Sequence, residues 1–263
     1  MTFEAITLDT SGNHAVLTLR RPARLNSINA AMHRELREAL REIRGNPAIR
    51  SLVLTGAGRA FCSGQDLAER AVPDDGPAPD LGESLDKRYN PLVRTLRSLD
   101  MPVVCAVNGV AAGAGCGLAL ACDLVIAARS ASFVLSHAGL GLVPDAGATW
   151  FLPRLVGRAR AMGMAMLGEA VSAEQAEAWG MIWQCVDNDR LTAQAQALAQ
   201  RLASRPGRGM ALIKRAVNAS SENALDQQLD LERDLQRLAG RAEDYREGVA
   251  AFMEKREPRF KGK

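Results

Sequence analysis

Asp145 lies in the segment Gly139-Leu140-Gly141-Leu142-Val143-Pro144-Asp145-Ala146-Gly147-Ala148-Thr149-Trp150, an acid among apolar and small residues just before a predicted helix. Two roles fit such a residue. As an N-cap its side chain would accept a hydrogen bond from the first helical amides, the usual employment of Asp at this position. As a general base it would exchange a proton at carbon, because apolar surroundings favour the protonated form of a carboxyl and suit it to that task. A second segment, Asn108-Gly109-Val110-Ala111-Ala112-Gly113-Ala114-Gly115-Cys116-Gly117, follows a buried strand and leads into a helix. Free N–H groups at a helix start carry partial positive charge and stabilise a developing oxyanion, by ~3–4 kcal/mol per donor where this has been measured. Its alternatives are close packing or a dinucleotide loop, but the G-x-G-x-x-G pattern would need glycine where the chain has Leu118. A third segment, Gly58-Arg59-Ala60-Phe61-Cys62-Ser63-Gly64-Gln65-Asp66-Leu67, has the small residues that let a backbone turn sharply against a ligand, or merely turn.

The elements that must position these segments alternate. Residues 3–8 and 14–20 read as two strands joined at Ser11-Gly12-Asn13, a hairpin. Asn29 caps a helix whose Met32, Leu36, Leu40 and Ile43 fall at helical spacing, with Gly45 as its stop. Ser51 to Thr55 is a buried strand. The Pro-, Gly- and Asp-rich stretch 72–82 reads as a mobile loop beside a pocket, and a helix over 83–99, disturbed at Pro91, follows it. A strand at 102–107, a helix at 114–121 and a strand at 123–127 complete a βαβ series. Beyond Trp150 the chain is helical apart from a strand-like stretch at 181–186. The segment 223–254 carries Leu225, Leu229, Leu231, Leu235 and Leu238 on overlapping faces, as a helical appendage to cover a partner subunit or its own core would.

Composition narrows the class. A chain of 263 residues, 47% hydrophobic, can bury a large core without staples. A net charge of +3 gives no bulk attraction to nucleic acid. The basic end (Lys255, Arg256, Arg259, Lys261, Lys263) reads as a solvated terminus or as a phosphate contact. Five cysteines without a C-x-x-C pair point to reduced thiols in a cytoplasmic compartment, and with three dispersed histidines they leave no basis for a metal site. No basic-then-apolar leader opens the sequence. The apolar run Val103–Cys122 has glycines at four-residue spacing, but Pro102, the β-branched run and Asn108-Gly109 favour strand, turn and helix start over a membrane span.

The three glycine-rich segments, in this order and spacing, together with Arg21-Pro22-Ala23-Arg24-Leu25-Asn26-Ser27, resemble the crotonase (enoyl-CoA hydratase/isomerase) superfamily over essentially the whole chain. The resemblance is most specific to its branch acting on the ring-1,2-epoxide of phenylacetyl-CoA, through 61–67, 76–82, 158–163, Leu229-Asp230-Leu231-Glu232-Arg233-Asp234, Ala239-Gly240-Arg241 and Asp244-Tyr245-Arg246-Glu247-Gly248.

This resemblance implies an α/β fold, a crotonase-like ββα spiral core over 1–195 with the CoA and acyl site, and a C-terminal helical trimerisation region over 196–263. It implies a thioester oxygen held by the backbone N–H groups of Gln65 and Ala114, and a catalytic Asp145. The two glutamates of the superfamily's hydratases correspond to Gly117 and His137, which speaks against ordinary hydration; both are candidates for the acyl pocket, with His137 open to the alternative of a packed, hydrogen-bonded histidine. Coenzyme A would bind near Arg24, Ala60 and Ser63, with Lys261 of a neighbouring subunit as a further phosphate contact. The implied activity is isomerisation of the epoxide to the oxepin-CoA, with a β,γ to α,β double-bond shift as a related reaction. No metal or cofactor beyond the CoA of the substrate is implied, nor a nucleic acid or membrane partner. A homotrimer or hexamer is. The rival readings are an enoyl-CoA hydratase and a non-catalytic binding protein of the same fold. An α/β-hydrolase lacks its G-x-S-x-G elbow here. Asp66, Asp123, Trp150 and Phe151 read as structural.

Overall fold

The computed structural model describes residues 3–70 and 80–262; most of the expected 72–82 loop lies outside them. Two strands open the chain, β1 (Ile6–Asp9) and β2 (Ala15–Leu19), paired antiparallel as the turn signal requires. Helix α1 (Ala30–Gly45) begins where the Asn29 side chain accepts from the Met32 amide, and it buries Met32, Leu36, Leu40 and Ile43, the stripe read from the sequence. Strands β3 (Leu52–Gly56) and β4 (Ala60–Cys62) precede a continuous helical run of α2 (Leu81–Ser84), a π-turn (Leu85–Tyr89) and α3 (Asn90–Ser98). The disturbance expected at Pro91 is this π-turn. Pro91 has no N–H to offer the carbonyl four residues back, and the Arg37 guanidinium donates to that Lys87 carbonyl instead, at 3.4 Å.

The chain continues through β5 (Val103–Val107), β6 (Val110–Ala112), α4 (Ala114–Leu120), β7 (Leu124–Ala128), β8 (Ser132–Val134), α5 (Ala148–Leu167), β9 (Val171–Ser172), α6 (Ala173–Ala178) and β10 (Gln184–Val186). Four helices close it: α7 (Leu191–Ala203), α8 (Gly207–Ala219), α9 (Leu225–Ala239) and α10 (Glu243–Met253). One sheet runs β1-β2-β3-β5-β7-β10 and a second runs β4-β6-β8-β9. Successive strand pairs β3/β4, β5/β6 and β7/β8 therefore place one strand in each sheet before the chain turns helical. That repeat is the expected ββα spiral. The segment 103–122 is strand, strand and helix start, and no helix among the described residues is long and apolar enough to cross a membrane.

The core lies around the six-stranded sheet. Strand β5 is buried at every position, as a strand covered on both faces must be. Helix α7 lies over β3, β5 and β7 with Leu191, Ala195, Leu198 and Ala199 inward. The boundary expected at 195/196 thus falls inside a helix whose buried face belongs to the core. The segment 223–254 is two helices, broken at Gly240-Arg241-Ala242. Helix α8 buries none of its residues fully, and Ile213, Val217, Leu225, Leu229, Phe252 and Met253 stay exposed across α8–α10.

Candidate active site

Two asparagines build the first loop. Asn26, fully buried with φ of 54°, accepts from the Arg21 amide at 2.8 Å and donates to the carbonyls of Ala57 and Ala60 at 2.9 and 2.8 Å. Asn108 donates to Gly58 and Ala60 at 2.9 and 3.1 Å. The turn before β4 is thereby pinned both to the loop after β2 and to the turn before β6. The chain then extends past Ile28, whose amide donates to the Gly64 carbonyl at 2.7 Å and whose carbonyl accepts from Asp66 at 3.0 Å. Because peptide groups alternate along an extended chain, the Gln65 N–H points away from Ile28. Arg21 also holds the Asp66 carboxylate at 2.8 Å, and this hydrogen bond keeps the Asp66 carboxyl below its ordinary range.

Gly64 takes φ of +89°, and a Cβ there would stand 2.9 Å from the Ala112 carbonyl oxygen and 3.3 Å from the Ala114 nitrogen. A residue without a side chain is what lets the two glycine-rich segments touch. Ala114 is the first residue of α4, so its N–H has no acceptor one turn back. Among the described residues, neither the Gln65 nor the Ala114 amide donates to another protein group. The sequence did not reveal what steadies the Gln65 side chain. Buried Tyr89, from the π-turn, donates to Gln65 Oε1 at 2.9 Å, and Arg70 donates to the same oxygen at 3.3 Å and to Ser84 Oγ at 3.3 Å. Burial, with the nearby Cys62 and Asp145, pushes the Tyr89 hydroxyl far above its usual pKa, so it serves as a donor. A lone tyrosine amid charged residues was the available signal; its partner lies 24 positions away.

The Asp145 side chain does not cap α5. Gly147, at φ of 82°, holds the cap position without a side-chain bond, and Asp145 contributes only its carbonyl, to the Ala148 amide at 2.9 Å. The carboxylate faces His137 instead, with Oδ1 at 3.3 Å from Nε2. The backbone that turns it there includes Ala146 at φ of +49°, a region non-glycine residues rarely adopt and one that marks local strain. His137 is buried, and its ring lies 3.8–3.9 Å from where a Cβ on Gly113 would stand. The imidazole therefore adjoins both the carboxylate and Gly113.

Gly117 lies one turn into α4, and its Cβ would stand 2.7 Å from both Cβ and O of Ala146. It is the flat surface on which the residue after Asp145 rests. Arg24 and Ser63 lie together: the Ser63 amide donates to the Leu25 carbonyl at 3.0 Å, and its hydroxyl to the Arg24 carbonyl at 3.5 Å. Arg24 is exposed, whereas Ala60 is buried with its carbonyl occupied by both asparagines. Lys261 is not joined to this turn within the chain: its amide is held by buried Asp244 at 2.7 Å. A cavity of about 530 Å³ beside Gln65 is lined by Glu69, Arg70, Asp80, Leu81, Glu83 and Arg88 among others.

Residues 9–263 match the family model described as enoyl-CoA hydratase/isomerase. The chain is 62% identical over 247 residues, 94% of each chain, to the 1,2-epoxyphenylacetyl-CoA isomerase of Escherichia coli K12. It is 38% identical, over 94% of this chain and 95% of the other, to the 2,3-dehydroadipyl-CoA hydratase of the same organism. Among solved structures, the enoyl-CoA hydratase of Bacillus anthracis superposes with a TM-score of 0.93 at 33% identity, over 99% of this chain and all of the other. With the family model matched over residues 9–263 and a relative 62% identical over 94% of each chain, the chain belongs to the enoyl-CoA hydratase/isomerase family.

Proposed function

We propose that this chain is an acyl-CoA isomerase that converts ring-1,2-epoxyphenylacetyl-CoA into its oxepin-CoA isomer. The thioester oxygen sits between the Gln65 and Ala114 amides, which need no reorganisation as negative charge develops. Asp145 takes a proton from C2, the amides hold the enolate, and the electrons rearrange as the strained three-membered ring opens into the larger one. The product is an isomer, so the proton is returned and the carboxylate regenerated. A β,γ- to α,β-enoyl shift uses the same parts. One observation carries the choice over hydration: the two positions that correspond to the hydratases' glutamates hold Gly117 and His137, neither of which supplies a carboxylate, and the Asp145 carboxylate lies 3.3 Å from His137 instead. The 62% identity to an enzyme named for this isomerisation supports the same reading.

Coenzyme A lies along the turn of Arg24 and Ser63, past Ala60, with Lys261 of a neighbouring subunit reaching a phosphate. The exposed apolar side chains of α8–α10 support assembly into a homotrimer or a hexamer of two trimers, with 196–263 as the main contributor and 1–195 holding the site. No cofactor takes part beyond the CoA of the substrate, and the enzyme works in the cytoplasm.

The test is turnover of two esters by purified protein. Ring-1,2-epoxyphenylacetyl-CoA is expected to give oxepin-CoA, followed by chromatography and NMR, while crotonyl-CoA keeps its conjugated absorbance. Rapid loss of that absorbance with an inert epoxide establishes a hydratase; inertness toward both, with CoA esters bound, leaves a binding protein.

A further inference from the structure

The geometry points to His137 as the positioning residue of this site: it donates Nε2–H to one oxygen of Asp145 and leaves the other oxygen to carry the C2 proton. The assignment rests on the reading of Asp145 as the base. The two residues come from one loop, His137 from the short turn Ser136–Leu140 and Asp145 eight positions on. Their side chains are 9% and 16% exposed, with Nε2 at 3.3 Å from Oδ1. The ring also lies 3.8–3.9 Å from where a Cβ on Gly113 would stand, one residue before Ala114.

A separate observation places the ring proton. Nδ1 is buried and has no partner among the described residues. A proton on Nδ1 alone would bury a donor without an acceptor and set two lone pairs against each other at 3.3 Å. A doubly protonated ring would bury the same unmatched N–H. A proton on Nε2 leaves only a lone pair unmatched and aims a donor at the carboxylate. Oδ1 is then engaged and Oδ2 is the free oxygen. Rotation of a carboxylate about its last bond is otherwise soft. Proton transfer to carbon needs that rotation fixed, since small misplacements of a reacting group cost orders of magnitude in rate.

Two variants separate this role from mere filling of space. His137→Phe keeps a ring without a donor, and His137→Gln returns an N–H near the place of Nε2. Exchange of the C2 protons of phenylacetyl-CoA in D2O, read by mass spectrometry, reports proton transfer without ring opening. His137→Phe is expected to lower kcat for exchange by about 10- to 100-fold with KM unchanged within about 3-fold, and His137→Gln to recover most of the loss. NMR of ¹⁵N-histidine-labelled wild type is expected to show Nε2 protonated and Nδ1 bare for the signal that His137→Phe removes. Wild-type exchange in His137→Phe, no recovery in His137→Gln, or an Nδ1-protonated ring each overturns the assignment. If the Phe variant fails to fold, the Gln variant and the ring signals still decide it. Asp145→Asn runs alongside: wild-type exchange there removes the base itself, whereas an inert Asp145→Asn beside a fully active His137→Phe removes only the positioning role.

Discussion

Adding one methyl group at Gly117 tests how the base is aimed. In Gly117→Ala the new Cβ would meet Cβ and O of Ala146 at 2.7 Å, where ordinary contact begins near 3.4 Å, so something must move by roughly 0.7 Å. The new methyl sits on α4, buried at every position, and cannot retreat far. Ala146 must yield, and it is the strained residue at φ of +49° that follows Asp145. Overpacking of this kind costs about 1–3 kcal/mol of stability. The catalytic loss is of comparable size, because misplacing a reacting group by about 1 Å removes about 10²-fold in rate, about 2.7 kcal/mol. The assay is C2 exchange of phenylacetyl-CoA in D2O, with binding of the ester by calorimetry as control. Exchange is expected to fall about 10²-fold while the ester still binds. Wild-type exchange in a folded Gly117→Ala protein would refute the claim that Gly117 sets the position of Asp145.

Two further substitutions test the supporting structure. His33 is buried, lies edge-on to Tyr89 at 4.4 Å, and is held down to about 4 first by burial and then by Arg88, Arg37 and Arg70. The unfolded chain, with the ordinary value of 6.5, binds this proton first; stability from neutral His33 is full above pH 6.5 and is lost as pH falls toward 4, by roughly 3 kcal/mol in all. His33→Phe is expected to flatten that part of the pH–stability curve in denaturant titrations, and an unchanged slope contradicts the reading. Lys214 joins α8 to the core through Asp123 at 2.8 Å and the carbonyls of Leu96 and Met101 at 2.9 and 3.2 Å. Burial already pushes the Asp123 carboxyl up. Lys214→Met leaves that carboxyl with the Val103 amide and is expected to cost about 3–5 kcal/mol in urea unfolding; a loss under about 1 kcal/mol makes the pair dispensable.

The sequence carried the long elements well. Helix α1 announced its cap, stripe and stop, and the βαβ series followed from apolar runs bounded by turns. The second sheet was not legible, because β4, β6 and β8 are three residues each, too short for a period to register, and β4 and β6 lie in glycine-rich stretches. The break between α9 and α10 follows the last leucine of the pattern, Leu238, and Gly240 is its local signal. Of the site, the glycine-rich segments were visible as backbone features. Whether Asp145 capped a helix stayed open, since nothing in the local pattern foretells Ala146 in the left-handed region. Gly117 read as a missing carboxylate; its contact with Ala146 is a tertiary fact. The bond from Tyr89 to Gln65 joins the far sides of the segment 71–79, and no local spacing encodes it.

The account stands most directly on Asp145→Asn, an exchange of one oxygen for nitrogen at nearly constant shape. Phenylacetyl-CoA is expected to bind the variant within a few-fold of the wild type, while C2 proton exchange drops by about 10²- to 10⁴-fold. Exchange persisting near the wild-type rate, or a loss traced wholly to weakened binding, contradicts the claim that this carboxylate moves the proton.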